Sequence, residues 1–80
     1  MEETAGFVNG SINRRKIMEI LDSKGATDSK RIAKIARLIP SATDKIIEEL
    51  ETADLIQKTN DGKIELTESG KIVIKYVRAL

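Results

Sequence analysis

Pro40, the only proline in the 80 residues, does most to narrow the folds open to this chain. Helical periodicity runs up to it and resumes directly after it. A proline cannot extend the helix before it, and it biases Ile39 away from helical dihedrals. Upstream, Thr27 or Asp28 caps a helix that reaches about Leu38, with Ile32, Ala33 and Ala36 as its buried stripe and Ile35 or Ile39 alongside. Downstream, Ser41 caps the next helix. Asp44 completes a Ser-x-x-Asp variant of the capping box, and Thr43, Ile47 and Leu50 lie on one side. That helix ends near Ala53-Asp54. An interval of about three residues makes the two helices cross steeply, which is the helix-turn-helix arrangement.

The flanks extend the pattern. An earlier helix spans about Ser11 to Ser23, capped by Ser11 or Asn13, with Ile17, Ile20 and Leu21 on one face and Gly25 just past its end. After residue 54 the period changes. Leu55-Ile56-Gln57-Lys58-Thr59 and Lys63-Ile64-Glu65-Leu66 are short extended runs around Asn60-Asp61-Gly62, a strong hairpin signal because glycine accepts positive φ. Thr67 then caps a last helix that runs to the C-terminus. Residues 1–10 hold two glycines and no sustained period. They predict a flexible arm whose Phe7-Val8 can dock on a neighbouring surface, with the folded domain over residues 11–80. There is no internal repeat.

Composition removes several kinds of chemistry. The chain has no cysteine and no histidine, so disulfides, thiolate catalysis and the commonest general base and metal ligand are absent. A chain this short has little material to enclose a substrate, so the expectation is a binding protein without a cofactor and not an enzyme. No apolar run approaches the ~20 residues that span a bilayer. The Met-Glu-Glu start lacks the basic flank and apolar stretch of a signal peptide, which predicts a cytoplasmic protein with no membrane partner. Abundant Lys, Glu and Ile also fit a thermophilic source.

The order helix, helix, tight turn, helix, hairpin, helix resembles the winged helix-turn-helix domains: a mainly α fold with a three-helix core, a two-stranded wing and a C-terminal helix. Ile47-x-x-Leu50-x-x-x-Asp54-Leu55-Ile56 looks like a recognition helix leading into its wing, with Asp54 where many family members carry glycine. The run Asp61-Gly62-Lys63-Ile64-Glu65-Leu66-Thr67-Glu68-Ser69-Gly70 is similar to the second wing strand and the Leu-Thr-x-x-Gly start of the closing helix. With Arg15-Lys16-Ile17-Met18-Glu19-Ile20-Leu21, the match covers roughly residues 12–78 and resembles small archaeal and bacterial transcriptional regulators of the MarR-like and ArsR-like groups.

The resemblance implies a partner, double-stranded DNA, and a division of labour. Helix 41–53 would lie in the major groove and present Ser41, Ala42, Asp44 and Lys45, with Glu48 and Glu49 near it. Lys30, Arg31 and Lys34 would meet a phosphate strand, while Lys58 and Lys63 of wing 55–66 would grip the backbone. Charge is uneven along the chain: residues 12–40 carry a net +5 and residues 41–61 a net −4, so the groove helix is acidic where phosphate recognition calls for cations. The plainer account of Glu48, Glu49 and Glu51 is a solvated face, and the other function open to such a helix is a protein-interaction module meeting a basic partner. In the last helix, Val73, Tyr76, Val77 and Leu80 form one stripe that can cover the core, and Ile72 and Ile74 fall outside it. So apolar a helix predicts a homodimer through Ile72, Ile74, Tyr76 and Leu80. No small-molecule ligand site is evident in the sequence.

Overall fold

Three helix caps and one glycine contact set the path of the chain, and together they aim one helix and a hairpin in the same direction. The computed structural model describes residues 2–80. Its elements are α1 (Glu2–Asn9), α2 (Ile12–Lys24), α3 (Ser29–Ala36), α4 (Pro40–Thr52), β1 (Ile56–Lys58), β2 (Ile64–Leu66) and α5 (Glu68–Ala79). This is a winged helix-turn-helix, with α2, α3 and α4 as the three-helix core, the β1–β2 hairpin as the wing and α5 closing the domain.

Ser11 caps α2 by accepting from the Arg14 amide at 3.2 Å. Asp28 caps α3 by accepting from the Arg31 amide at 2.9 Å. α3 ends two residues before the expected Leu38 because Arg37 turns left-handed at φ 58°, and the Leu38 amide closes the helix on the Ala33 carbonyl at 3.0 Å. The Lys16 ammonium covers another of its terminal carbonyls, that of Ala36, at 3.4 Å. Ile32, Ala33 and Ala36 are buried as expected. Ile35 and Ile39, expected beside them, are exposed, since the early end of α3 carries the chain away from the core.

Ser41 is not the cap of α4. Pro40 itself occupies the first helical position and Ile39 is the N-cap, without a side-chain cap bond. Proline's fixed φ suits that position and its missing amide costs nothing there, so the helix starts one residue early and Ser41 lies within its first turn. The Thr43 hydroxyl, fully buried, donates to the Ile39 carbonyl at 3.1 Å. Thr43, Ile47 and Leu50 form the buried face of α4.

The wing hangs from a junction of close contacts. Asp54, at φ 62°, takes the left-handed conformation that explains the usual glycine there. Thr67 caps α5 by accepting from the Gly70 amide at 3.0 Å, and its hydroxyl donates to the Asp54 carbonyl at 2.7 Å. A Cβ on Gly70 would stand 2.0 Å from the Leu55 carbonyl oxygen, so no other residue fits unless the backbone moves. The strands pair antiparallel, Ile56 with Leu66 and Lys58 with Ile64. Gly62, at φ 82°, turns the loop. A separate bridge ties the wing root to the loop before α3: the Thr27 amide donates to the Ile64 carbonyl at 2.9 Å and the Ile64 amide to Thr27 at 2.8 Å.

The N-terminal arm expected over residues 1–10 is a helix over the residues described; Met1 lies outside them. α1 packs on α5 and α2 and buries Ala5 and Val8, with Phe7 partly buried beside the core. Eight residues with an internal glycine make a poor isolated helix, and tertiary contact supplies what propensity does not. α5 is also rotated from expectation. Val73, Ile74 and Val77 face the core, Tyr76 is half-buried, and Leu80 is exposed.

Candidate nucleic-acid interface

Lys30, Arg31 and Lys34 are exposed on α3; Ser41, Asp44 and Lys45 are exposed on α4, with Ala42 half-buried; Lys58 and Lys63 are exposed at the two ends of the wing loop. The Thr27–Ile64 bridge and the packing of α3 on α4 hold these elements together. Arg31 and Lys63 line one hollow, Asp44 and Lys58 a second, and Lys45 a third beside Phe7 and Arg14.

Ion pairing divides the arginines into two groups, while Lys16 on α2 and Lys75 on α5 have no acidic partner among the described residues. On α2 and α5, Arg14 meets Glu49 at 3.2 Å, Arg15 meets Glu19 at 3.5 Å, Lys71 meets Glu68 at 3.6 Å, and Arg78 meets Asp22 at 2.6 Å and Glu19 at 3.7 Å. From Lys24 through Lys63, none of the cations has an acidic partner among the described residues: Lys24, Lys30, Arg31, Lys34, Arg37, Lys45, Lys58 and Lys63 all point to solvent unpaired. A cation whose charge is already matched gains less from a phosphate than one still fully hydrated and free.

The acids of α4 separate in the same way. Glu49 is only partly solvated and is paired: its carboxylate accepts from Arg14, whose guanidinium also donates to the Phe7 carbonyl at 3.0 Å and lies 4.0 Å over the Phe7 ring. This pair joins α1, α2 and α4. Asp44, Glu48 and Glu51 stay unpaired and line a hollow of about 490 Å³ between α4 and the wing, with Lys58 on its far wall.

The wing loop is held internally. Thr59 donates from its amide to the Lys63 carbonyl at 2.8 Å and accepts from the Lys63 amide at 3.0 Å. Its hydroxyl also donates to Asp61, which holds that carboxyl below its ordinary pKa.

On α5, Ile72 and Leu80 are exposed. Ile74, expected at a dimer interface, is fully buried in the core and cannot serve there, and Tyr76 packs partly against the same core. Residues from 72 to 80 are apolar on so many sides that only contact with α1 and α2 decides which of them turn inward. Among the described residues no cluster of acids could hold a metal, and no helix is long and apolar enough to cross a membrane.

Lys24 was not among the sequence candidates. At the end of α2 it looks like a routine helix-terminal lysine, and only the fold brings it beside Arg31 and Lys63 around one hollow.

Solved structures of the same fold are known. The chain is similar to the multiple antibiotic-resistance repressor MarR of Listeria monocytogenes 4b F2365, with a TM-score of 0.85 at 18% identity over 96% of this chain and 56% of that one. It is similar to RV1404 of Mycobacterium tuberculosis, with a TM-score of 0.83 at 22% identity over 96% of this chain and 58% of that one. It also resembles NadR in its complex with 4-hydroxyphenylacetate, with a TM-score of 0.81 at 20% identity over 86% of this chain and 53% of that one. The chain thus spans little more than half the length of these proteins, and at such identities the likeness establishes the fold. No protein-family model and no curated protein sequence matches the chain.

Proposed function

We propose that this chain is the DNA-binding unit of a transcriptional regulator, acting without a cofactor and not as an enzyme. The observation that carries it is the division of the cations: those of α3, α4 and the wing are free, while the arginines of α2 and α5 are held in ion pairs. α4 enters the major groove with Ser41, Ala42, Asp44 and Lys45 toward the bases, and Lys30, Arg31, Lys34, Lys58 and Lys63 meet the phosphates. The shared fold with a named repressor supports this use of the frame. Asp44 can accept from cytosine N4, so an acidic α4 restricts the sequence read without supplying affinity. The pairing of Glu49 with Arg14 removes one repulsive charge from that face.

The regulator works as a homodimer joined through α5, where Ile72 and Leu80 present apolar surface. Binding of duplex DNA measured across a salt series tests the function. Affinity should fall steeply as salt rises, and Arg31→Ala should flatten the slope. The second reading, an interaction module whose unpaired Asp44, Glu48 and Glu51 meet a basic partner, is favoured by the acid-lined hollow beside the wing. Failure to bind any duplex at low salt selects that reading over DNA.

A further inference from the structure

The hollow behind the wing root is lined by Ser23, Lys24, Thr27, Asp28, Arg31 and Lys63 and has a volume of about 580 Å³. Its three cations come from three places in the fold: the end of α2, the first turn of α3 and the loop residue just before β2. None forms an ion pair within 4 Å among the described residues, although the charge of Lys63 is felt by Asp61 of the wing loop. Asp28 is the one acid in the lining, and its carboxylate is turned to cap α3 on the Arg31 amide. Thr27 is spent on the frame, its hydroxyl donating to the Gly25 carbonyl at 2.9 Å and its backbone bridging to Ile64. That bridge fixes Lys63, next to Ile64, opposite Arg31, a turn beyond Thr27, so two of the cations are held across the hollow by backbone hydrogen bonds.

The neighbouring hollow has the opposite charge. Asp44, Glu48 and Glu51 line it, and the two hollows meet where Asp28 adjoins Ser29 and Lys63 adjoins Ile64. A polyanion lying over the wing root is therefore repelled on one side of the bridge and attracted on the other.

We infer that Lys24, Arg31 and Lys63 form a phosphate cradle at the wing root that seats one backbone phosphate of a bound polynucleotide and so fixes the register of the duplex. This rests on the DNA-binding function proposed above. The wing tip is a poor anchor by comparison, with three-residue strands and a loop bonded to itself through Thr59. The root is bonded to the helical body. Lys24 is the distinctive member, since it belongs neither to the helix-turn-helix pair nor to the wing.

The test is duplex binding across a salt series for the full chain and for Lys24→Ala, Arg31→Ala, Lys63→Ala and Lys75→Ala, the last on α5 away from the hollow. Each cradle variant should bind on the order of tenfold more weakly at low salt, with the salt slope reduced by less than one, because the two remaining cations still share the single phosphate. Lys75→Ala should match wild type. A second arm titrates wild type with inorganic phosphate alone and follows the backbone amide resonances. Shifts centred on residues 24–31 and 63 support the cradle as a phosphate site, even if no duplex binds and the DNA-binding function fails. If wild type binds duplex while Lys24→Ala equals Lys75→Ala in affinity and slope, the cradle is overturned and the wider function stands. If phosphate shifts no resonance in the cradle and no duplex binds, both fall.

Discussion

α2 with α5, and α3 with α4 and the wing, are two charged surfaces of similar composition in opposite electrostatic states. On the first, arginines are matched: Arg14 by Glu49, Arg15 by Glu19, and Arg78 by Glu19 and Asp22. On the second, the lysines and arginines of α3, α4 and the wing have no acidic partner among the described residues, and neither has Lys24 at the end of α2. A count of charges along the chain does not separate these surfaces, because residues 12–40 contain members of both. The pairing of the arginines separates them. Arginine on the first surface joins helices to one another, and basic side chains on the second are left available to something outside the molecule.

The largest expected effect removes the frame that keeps the two surfaces apart. Gly70→Ala drives a methyl group into the Leu55 carbonyl, so either α5 or the wing must move. A loss of about 1–3 kcal/mol or more is expected, read as a lower midpoint in denaturant unfolding. Unchanged stability would mean that the Asp54–Gly70 junction is not as tight as described.

Next in size is a direct exchange between the surfaces. Lys58→Ala should weaken duplex binding and lower its salt slope by about one, without altering stability. Arg78→Ala should leave binding intact and cost up to about 1 kcal/mol in stability, since its partners are on α2 and its pairs are partly exposed. The reverse pattern would break the comparison.

Dimer formation bears on the first surface alone. Ile72→Glu should lower the sedimenting mass to that of a monomer while keeping the fold, as Ile72 is 54% exposed in the single chain. A monomeric mass for both wild type and variant would remove the dimer.

The smallest effect lies at the wing tip. Thr59 holds the Asp61 carboxyl below its ordinary pKa, so the ionised form is favoured in the folded state. The stability this adds is fully present above the unfolded pKa and is lost as pH falls through the lower, folded pKa. Asp61→Asn should therefore lose slightly less stability than wild type on acidification below about pH 4, measured by denaturant unfolding at stepped pH. An identical acid dependence would mean that the Thr59 contact contributes nothing.

What was legible in the sequence was local. Pro40, Asp61-Gly62 and Thr67 act through their own dihedrals, turn chemistry and hydroxyls, and each falls at the break it predicts, although proline's fit to the first helical position moved the cap from Ser41 to Ile39. What was hidden depends on partners far along the chain. α1 is a helix because Ala5 and Val8 find α2 and α5. Glu49 reads as a surface acid until Arg14, 35 residues away, closes on it. The rotation that buries Ile74 and exposes Leu80 is set by packing, since a helix apolar on most sides does not specify its own inward face. Lys24 joins the candidate interface through the Thr27–Ile64 bridge, a contact between residues with no pattern in common.

The central claim, that the unpaired surface is the one that meets DNA, is tested most directly by following the backbone amide resonances of the chain as duplex is added to saturation. The predicted result is large shifts in residues 24–34, 41–48 and 58–63, with the outward residues of α5 and the start of α2 unmoved. Shifts concentrated on α5 and the start of α2, with α3 and the wing silent, would contradict it.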